Sequence, residues 1–157
     1  MARETRATRA LAKAGVVFAV HTYVYDPDAD RVGLHAAEAL DENPARVLKT
    51  LMARLDGKPV CAILPSDREA AMKKLAAALG GKHAEMMKPE EAERVSGYKV
   101  GGISPFGQTR KVPVVIEDSA LAHDLVYING GQRGLQVRLS PDDARKVLDA
   151  VVAALVA

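Results

Sequence analysis

Lys49 is the residue whose type and position point most directly to chemistry. It lies in the segment 46–55, where alternation with a period of two puts it on one face with apolar side chains, Val47, Leu51, Ala53 and Leu55. Burying an unpaired ammonium is costly, so a lysine there must reach a sheet edge, find a partner or line a cleft. The pattern alone leaves a sheet-edge lysine and a functional lysine both open.

A second candidate is the loop 101–107, with the sequence Gly-Gly-Ile-Ser-Pro-Phe-Gly. Glycine lets the backbone approach a ligand closely and adopt positive φ, and proline stiffens the turn. Such a loop can present fixed N–H donors to a carbonyl oxygen or a phosphate. It lacks the Gly-Lys-Ser/Thr ending of a Walker loop and the spacing of a dinucleotide fingerprint. A turn with a purely structural role is the alternative.

Basic residues recur in two stretches that could meet phosphate. Four of them, Arg3, Arg6, Arg9 and Lys13, fall on one stripe of a predicted first helix, and the segment 94–111 has four more and no acidic residue, Arg94, Lys99, Arg110 and Lys111. For both stretches the alternative is a solvated helix face or loop. A further arginine, Arg133, lies in the segment 129–134, Asn-Gly-Gly-Gln-Arg-Gly, between two predicted strands. A hairpin explains these glycines but not the arginine, although arginine is also common at surfaces.

Several classes of site are not indicated. No Gly-x-Ser-x-Gly or comparable nucleophile motif occurs, and the four histidines lack the spacing of metal ligands. Cys61 lies in an apolar strand and is predicted to be an inert, buried thiol. We therefore expect neither a metal nor a cofactor.

Composition indicates a soluble protein with one core. A chain of 157 residues with 48% hydrophobic content can bury one core, and a net charge of +2 excludes binding of duplex nucleic acid by bulk electrostatics alone. No run of about 18 apolar residues and no apolar signal core is present. With a single cysteine, a cytoplasmic location without membrane contact is expected.

The candidate segments must be positioned by a mixture of helices and strands. Helices are predicted at 5–14, 34–40 and 89–95, and strands at 16–25, 46–55, 58–64, 112–117, 125–129 and 135–139. The dipeptide Asp56-Gly57 predicts a tight hairpin. Ser66 and Glu69 predict a capping box for a helix ending at Gly80-Gly81. A last helix, from Ser140, is expected to bury one apolar face, formed by Val147, Leu148, Val151, Val152 and Leu155. Without regular strand–helix alternation, an α+β domain is favoured.

Together these motifs resemble the YbaK/EbsC family of aminoacyl-tRNA deacylases, which is related to the editing domain of bacterial prolyl-tRNA synthetases. The similarity runs in chain order through His21-Thr22-Tyr23, Leu48-Lys49-Thr50-Leu51 and the segments 97–107 and 130–135. It implies a single mixed α/β domain over residues 1–157, built around one curved sheet surrounded by helices. It also implies a cleft for the 3′-terminal adenosine of a tRNA and its attached amino acid.

The resemblance assigns roles to individual residues. It implies that Lys49 is the essential catalytic lysine and that Gly101 belongs to the loop around the aminoacyl ester. It assigns substrate binding to ten further residues: Tyr23, Thr50, Gly102, Ile103, Ser104, Pro105, Asn129, Gly130, Gly131 and Arg133. Two positions depart from the cysteine-specific pattern, in which Ser often replaces Asn129 and Asp often replaces Gln136. The choice of amino acid is therefore left open.

The activity that the resemblance implies is trans-editing of mischarged tRNA. The leading expectation is deacylation of Cys-tRNA(Pro), with the substrate's own thiol attacking its ester. The alternatives are deacylation of Ala-tRNA(Pro), or of another small aminoacyl-tRNA, by an activated water, and a non-catalytic module that binds tRNA or a synthetase. The expected partner is the 3′ end of an aminoacyl-tRNA, and prolyl-tRNA synthetase is a second candidate partner.

Overall fold

The computed structural model of the chain describes residues 4–28 and 32–157. Five helices lie in this part: α1 (Arg6–Lys13), α2 (Val32–Ala39), α3 (Met72–Ala78), α4 (Pro89–Ser96) and α5 (Pro141–Leu148). Eight strands accompany them: β1 (Phe18–Thr22), β2 (Leu48–Leu55), β3 (Lys58–Pro65), β4 (Ala84–Met86), β5 (Val114–Glu117), β6 (Val126–Gln132), β7 (Leu135–Leu139) and β8 (Val151–Ala153). The α+β prediction is confirmed, and none of the described helices has the length and apolarity to span a bilayer.

The strands form two sheets, where one curved sheet was expected. The smaller is antiparallel with the order β1-β7-β6, and the larger is mixed with the order β4-β2-β3-β5-β8. The parallel bridge between Val47 and Tyr127 connects them. In β6 the pairing with β7 shifts between Asn129 and Gln132, so the glycines at 130 and 131 form a bulge. This bulge lies opposite the glycine loop 101–107.

The larger sheet is buried on both faces, which explains why its strands carry few polar residues. One core cluster includes Ile63 and Ile116 of this sheet together with Ile128 of the smaller sheet and Leu11 of α1. The other lies on the opposite face, beneath α3, and contains Ala53, Val60, Ala62, Leu75, Val115 and Leu155. The predicted alternation of side chains along β2 is confirmed. Leu48 and Met52 pack into the first cluster, whereas Leu51, Ala53 and Leu55 pack into the second, on the opposite face.

The predicted β2–β3 hairpin is confirmed, with Asp56 and Gly57 both at positive φ. The capping box is wrong. Ser66 follows the end of β3, and its hydroxyl donates to the Pro44 carbonyl. The helix α3 begins only at Met72 and has no side-chain cap. Ser66 is held by this tertiary contact, which local sequence did not indicate.

The predicted continuation of the last helix to Leu155 is also wrong. The helix α5 ends at Leu148, Asp149 takes a left-handed conformation with φ +51°, and the chain then pairs with the edge of β5 as β8. Val151 and Val152 are about 40% exposed instead of buried, whereas Leu155 is buried. The open edge of a parallel strand provided backbone hydrogen-bond partners that overrode the helical pattern.

Candidate active site

A cavity of about 260 Å³ opens between the first residues of β2, the glycine loop and the β6–β7 hairpin. Its walls consist of Leu48, Lys49, Thr50, Leu51, Val100, Gly101, Ile103, Asn129 and Gln136. Segments about 50 and 80 residues apart in the sequence thus meet at one place. Of the residues assigned by resemblance, the structure brings together Lys49, Thr50, Gly101, Ile103 and Asn129.

Lys49 is the cation of this cavity. Its side chain is only 20% exposed, and its Nζ lies 3.9 Å from Oε1 of Glu69, whose side chain is 73% exposed. An ion pair at this distance with a solvated carboxylate contributes little to stability. Lys49 and the glycine loop thus line the same cavity, and the apolar row of β2 is interrupted where the cavity begins.

Buried oxygen atoms without hydrogen-bond partners contribute to the cavity wall. Among the described residues, Thr50 Oγ1 and Gln136 Oε1 are both buried and accept or donate no hydrogen bond. The Tyr23 hydroxyl, outside the lining, is likewise buried without a bond of normal geometry. Burial raises the pKa of Tyr23 more than its interactions with the Gln136 side chain and the Gly134 backbone lower it. Such groups cost about 1–3 kcal/mol each unless a ligand or water satisfies them.

The glycine loop is fixed by side chains on three sides. The Asn129 side-chain nitrogen donates to the Gly101 carbonyl (3.1 Å), and Arg133 Nε donates to the Val100 carbonyl (2.8 Å). The Val100 N–H donates to Glu93 Oε2 (2.8 Å). Gly101 has φ +89°, and a Cβ there would lie 2.5 Å from the Tyr25 hydroxyl. The position therefore requires glycine for both its backbone conformation and its space.

Asn129 and Arg133 hold the loop in the described structure. Both ends of the Asn129 amide are bonded to backbone, because its oxygen also accepts the Gly131 N–H at 2.7 Å. The exposed Arg133 guanidinium lies over the Tyr25 ring, 5.3 Å from its centroid. In contrast, the N–H groups of Gly101 and Ile103 donate no hydrogen bond within residues 4–28 and 32–157. Both residues line the cavity.

Other residues assigned by resemblance do not line this cavity. Ser104 is fully buried and its hydroxyl accepts the Phe106 N–H, while Pro105 lines a different cavity. Gly130 is packed against the Leu135 side chain. A neighbouring groove takes the remaining three, Gly102, Gly131 and Arg133.

Sequence reasoning did not assign four lining residues, Leu48, Leu51, Val100 and Gln136. Gln136 was noted only as a departure from the family pattern. A signal was present, because it is a buried amide between the apolar neighbours Leu135 and Val137 of β7. The three apolar lining residues, Leu48, Leu51 and Val100, could not be found in this way, because an apolar side chain in a cavity wall has the same sequence pattern as one in the core.

Cys61 is not available as a nucleophile. It is completely buried, and burial raises its pKa to about 12, so the thiolate is not formed near neutral pH. The cavity therefore offers a cation, unoccupied N–H donors and buried oxygens within a largely apolar wall. This combination suits an activated acyl group that carries its own nucleophile or receives a water molecule.

The comparisons with known proteins identify the family. Residues 26–147 match the model of the aminoacyl-tRNA editing domain. The chain belongs to this family. The family resemblance predicted from the sequence motifs is thereby confirmed.

Two curated relatives and one solved structure illustrate the similarity. EbsC of Enterococcus faecalis, named as a candidate Cys-tRNA(Pro)/Cys-tRNA(Cys) deacylase, is 35% identical over 108 residues, which cover 68% of this chain and 65% of EbsC. The proline–tRNA ligase of Geobacillus kaustophilus is 31% identical over 86 residues, 55% of this chain and only 15% of the ligase. The structure of a candidate trans-editing enzyme for prolyl-tRNA synthetase has the same fold, with a TM-score of 0.81, 22% identity and 99% coverage of both chains.

Proposed function

We propose that this editing domain cleaves the ester bond of a mischarged aminoacyl-tRNA. The observation that carries the proposal is the meeting of Lys49 with the clamped glycine loop at one small cavity. The family membership of residues 26–147 supports the same reaction class.

In the proposed mechanism the ester carbonyl oxygen accepts hydrogen bonds from the N–H groups of Gly101 and Ile103. Each such donor is worth about 3 kcal/mol when it points at the oxygen on which charge develops. Lys49 stabilises the same charge electrostatically and polarises the ester. Thr50 and Gln136 use their unpaired oxygens to hold the amino acid, while Leu48, Leu51 and Val100 exclude water from it.

The proposed substrate is Cys-tRNA(Pro), and the proposed nucleophile is the substrate's own thiol. Its sulfur attacks the ester carbonyl carbon, the bond to the ribose oxygen breaks, and the thiol proton passes to that oxygen. The products are a cyclic thioester and the uncharged tRNA. A thiol has an ordinary pKa of about 8.5, so little assistance from Lys49 is needed to form the thiolate. The name of EbsC supports this choice.

A second candidate is hydrolysis of Ala-tRNA(Pro) by a water molecule. The apolar side chains in the wall, Leu48, Leu51, Val100 and Ile103, favour a small apolar residue as much as a thiol. The two candidates share the site and differ in the nucleophile.

The test is a comparison of tRNA(Pro) charged with Cys, Ser or Ala, incubated with the wild-type protein and with Lys49→Ala. We expect Cys to be discharged faster than Ser, and Lys49→Ala to reduce the rate by about 100-fold or more, the size of effect seen when a group that stabilises an oxyanion is removed. Lys58→Ala is the matched control, since this exposed lysine lies at the far end of the same hairpin. Equal discharge by wild type and Lys49→Ala contradicts the proposal, and Ala discharged faster than Cys selects the second candidate.

A further inference from the structure

A second groove, of about 380 Å³, shares the glycine loop as a wall with the active-site cavity. Residues of the segment 99–103, which enters this loop, line the two spaces in turn: Val100, Gly101 and Ile103 line the cavity, whereas Lys99 and Gly102 line the groove. The β6–β7 hairpin divides in the same way, with Asn129 at the cavity and Arg133 at the groove. A ligand could therefore extend from one space to the other around a single turn of backbone.

The groove is basic. Its lining contains Lys99 and Arg133, both exposed, and no carboxylate. Arg6 lies at its edge, where its guanidinium donates to the Gly97 carbonyl (2.8 Å) and stacks on the Tyr98 ring at 4.8 Å. Arg9 is close enough to act electrostatically on Tyr98 as well.

Two carboxylates near the groove are already engaged. Glu93 accepts the Val100 N–H, and Glu4 pairs with Arg9 at 3.3 Å. Arg6 of α1 and Lys99 of the segment 94–111 thus lie at or beside the groove together with Arg133; Arg3 lies outside the described residues. A surface to which three distant segments contribute cations, with no carboxylate in its lining, favours an anionic ligand.

Two glycines in the lining of the groove leave no room for a side chain. A Cβ at Gly102 would lie 2.8 Å from the Arg133 backbone nitrogen, and a Cβ at Gly131 would lie 2.8 Å from the Tyr98 ring. At these two positions only backbone faces the groove. Arg133 uses only Nε to hold the Val100 carbonyl, and its terminal nitrogens donate no hydrogen bond in the described part of the chain. Those nitrogens have the geometry to bind a phosphate.

We infer that this groove binds the phosphodiester backbone of the single-stranded 3′ end of a tRNA, next to the nucleotide whose ester enters the cavity. The inference rests on the proposed function for the identity of the RNA. Phosphate contacts position a nucleic acid without reading its bases, which fits an editing site that must place one terminal ester beside Lys49. Arg133 would then link phosphate binding to the position of the Val100 carbonyl.

The experiment uses Lys99→Gln and the double variant Arg9→Gln/Lys99→Gln, since neither residue touches the cavity. With mischarged tRNA, Lys99→Gln should raise KM by about fivefold and leave kcat unchanged, because it removes a phosphate contact and no reacting group. Hydrolysis of a 3′-O-aminoacyl adenosine, which has no phosphate, should be unchanged. Lys73→Gln, an exposed lysine on α3, is the control for loss of one positive charge.

Binding of a fluorescein-labelled RNA hairpin ending in CCA gives an independent measurement. The slope of log K against log salt should decrease by about 0.7 in Lys99→Gln and not in Lys73→Gln, as for one lost contact to a single strand. An unchanged KM and slope in the double variant would overturn the inference, as would equal losses with aminoacyl adenosine. Lys99-dependent binding of polyglutamate but not of RNA would overturn it in favour of an acidic protein partner. If the wild type hydrolyses no ester yet binds RNA through Lys99, the proposed function fails and the groove stands.

Discussion

At the scale of single residues, the cavity is distinguished by oxygens that the fold leaves unsatisfied. Thr50 Oγ1 and Gln136 Oε1 are buried without partners, although each could be replaced by an apolar group of similar shape. Retaining such groups lowers the free energy of unfolding, and proteins commonly accept this where a ligand supplies the missing bond. Gln136 is the clearer case, because a buried carbonyl oxygen can only accept a hydrogen bond.

Gln136→Met tests this reading, since methionine keeps the length of the side chain and removes the amide. We expect the melting temperature to hold or rise and kcat/KM for mischarged tRNA to fall by about tenfold, the effect of about 1.4 kcal/mol. Gln108→Met is the comparison variant. The Gln108 Oε1 is also buried without a partner, but its amide nitrogen donates to the Ser104 carbonyl at 3.0 Å, and the loss of this bond should lower the melting temperature. A Gln136→Met protein that melts earlier and keeps full activity would show a structural role instead.

At the scale of elements, the active site depends on how the glycine loop is held against the bulge of β6. Gly101 combines a positive φ with contact to Tyr25, so Gly101→Ala introduces both backbone strain and a clash. Backbone strain of this kind costs about 1–3 kcal/mol. We expect kcat to fall by more than tenfold as the loop N–H groups move away from the ester.

Gly80→Ala is the control that separates the effect of backbone strain from the effect of a change at the cavity. Gly80 also has a positive φ, at +73°, but a Cβ there meets nothing within 4 Å and the residue lies far from the cavity along the chain. Thermal unfolding of both variants and discharge of Cys-tRNA(Pro) give the two readouts. Gly80→Ala should lose stability and keep its activity. Comparable losses of kcat in both variants would mean that the loop position does not control the reaction.

The sequence allowed prediction of those elements whose signals are local. The Asp56-Gly57 hairpin, α1 and α4 needed only turn residues, caps and periodicity, and Lys49 was found because it interrupts an apolar row. The convergence of Lys49 with Gly101 came from the family resemblance, since spacing of about 50 residues carries no geometric information. The errors lie where tertiary contacts decide: the tether of Ser66 to Pro44 and the pairing of β8 with β5.

At the scale of the whole molecule, two sheets share one core, and the cavity lies near their junction. The Val47–Tyr127 bridge joins the sheets two residues before Lys49, so the position of the lysine depends on the docking of the sheets as well as on β2 itself. The far end of the β2–β3 hairpin is fixed by another tertiary contact. There the Asp56 carboxylate accepts the N–H groups of Lys82 and His83, at 3.0 and 2.9 Å.

This contact makes the stability of the fold depend on pH in a definite direction. The two backbone N–H donors hold the pKa of Asp56 below its usual range. A group with a lowered pKa in the folded state stabilises the protein above its unfolded pKa of about 3.9, and this contribution is lost as the pH falls through the folded value. Asp56→Ala should therefore have a lower free energy of unfolding than wild type at neutral pH, and the difference should shrink in acid.

Urea unfolding of wild type and Asp56→Ala between pH 7 and pH 3 measures this difference, and Asp67→Ala serves as the control, since this exposed carboxylate accepts no hydrogen bond from the described residues. A gap between wild type and Asp56→Ala that stays constant down to pH 3 would mean that it comes from the left-handed backbone of residue 56, which alanine tolerates less well, and not from the charge of Asp56. Discharge of Cys-tRNA(Pro) at neutral pH should be preserved in Asp56→Ala wherever the protein is folded, because the hairpin tip is seven residues from Lys49 and lines no part of the cavity. A variant that is folded but inactive would instead show that anchoring the far end of the hairpin sets the position of the catalytic end.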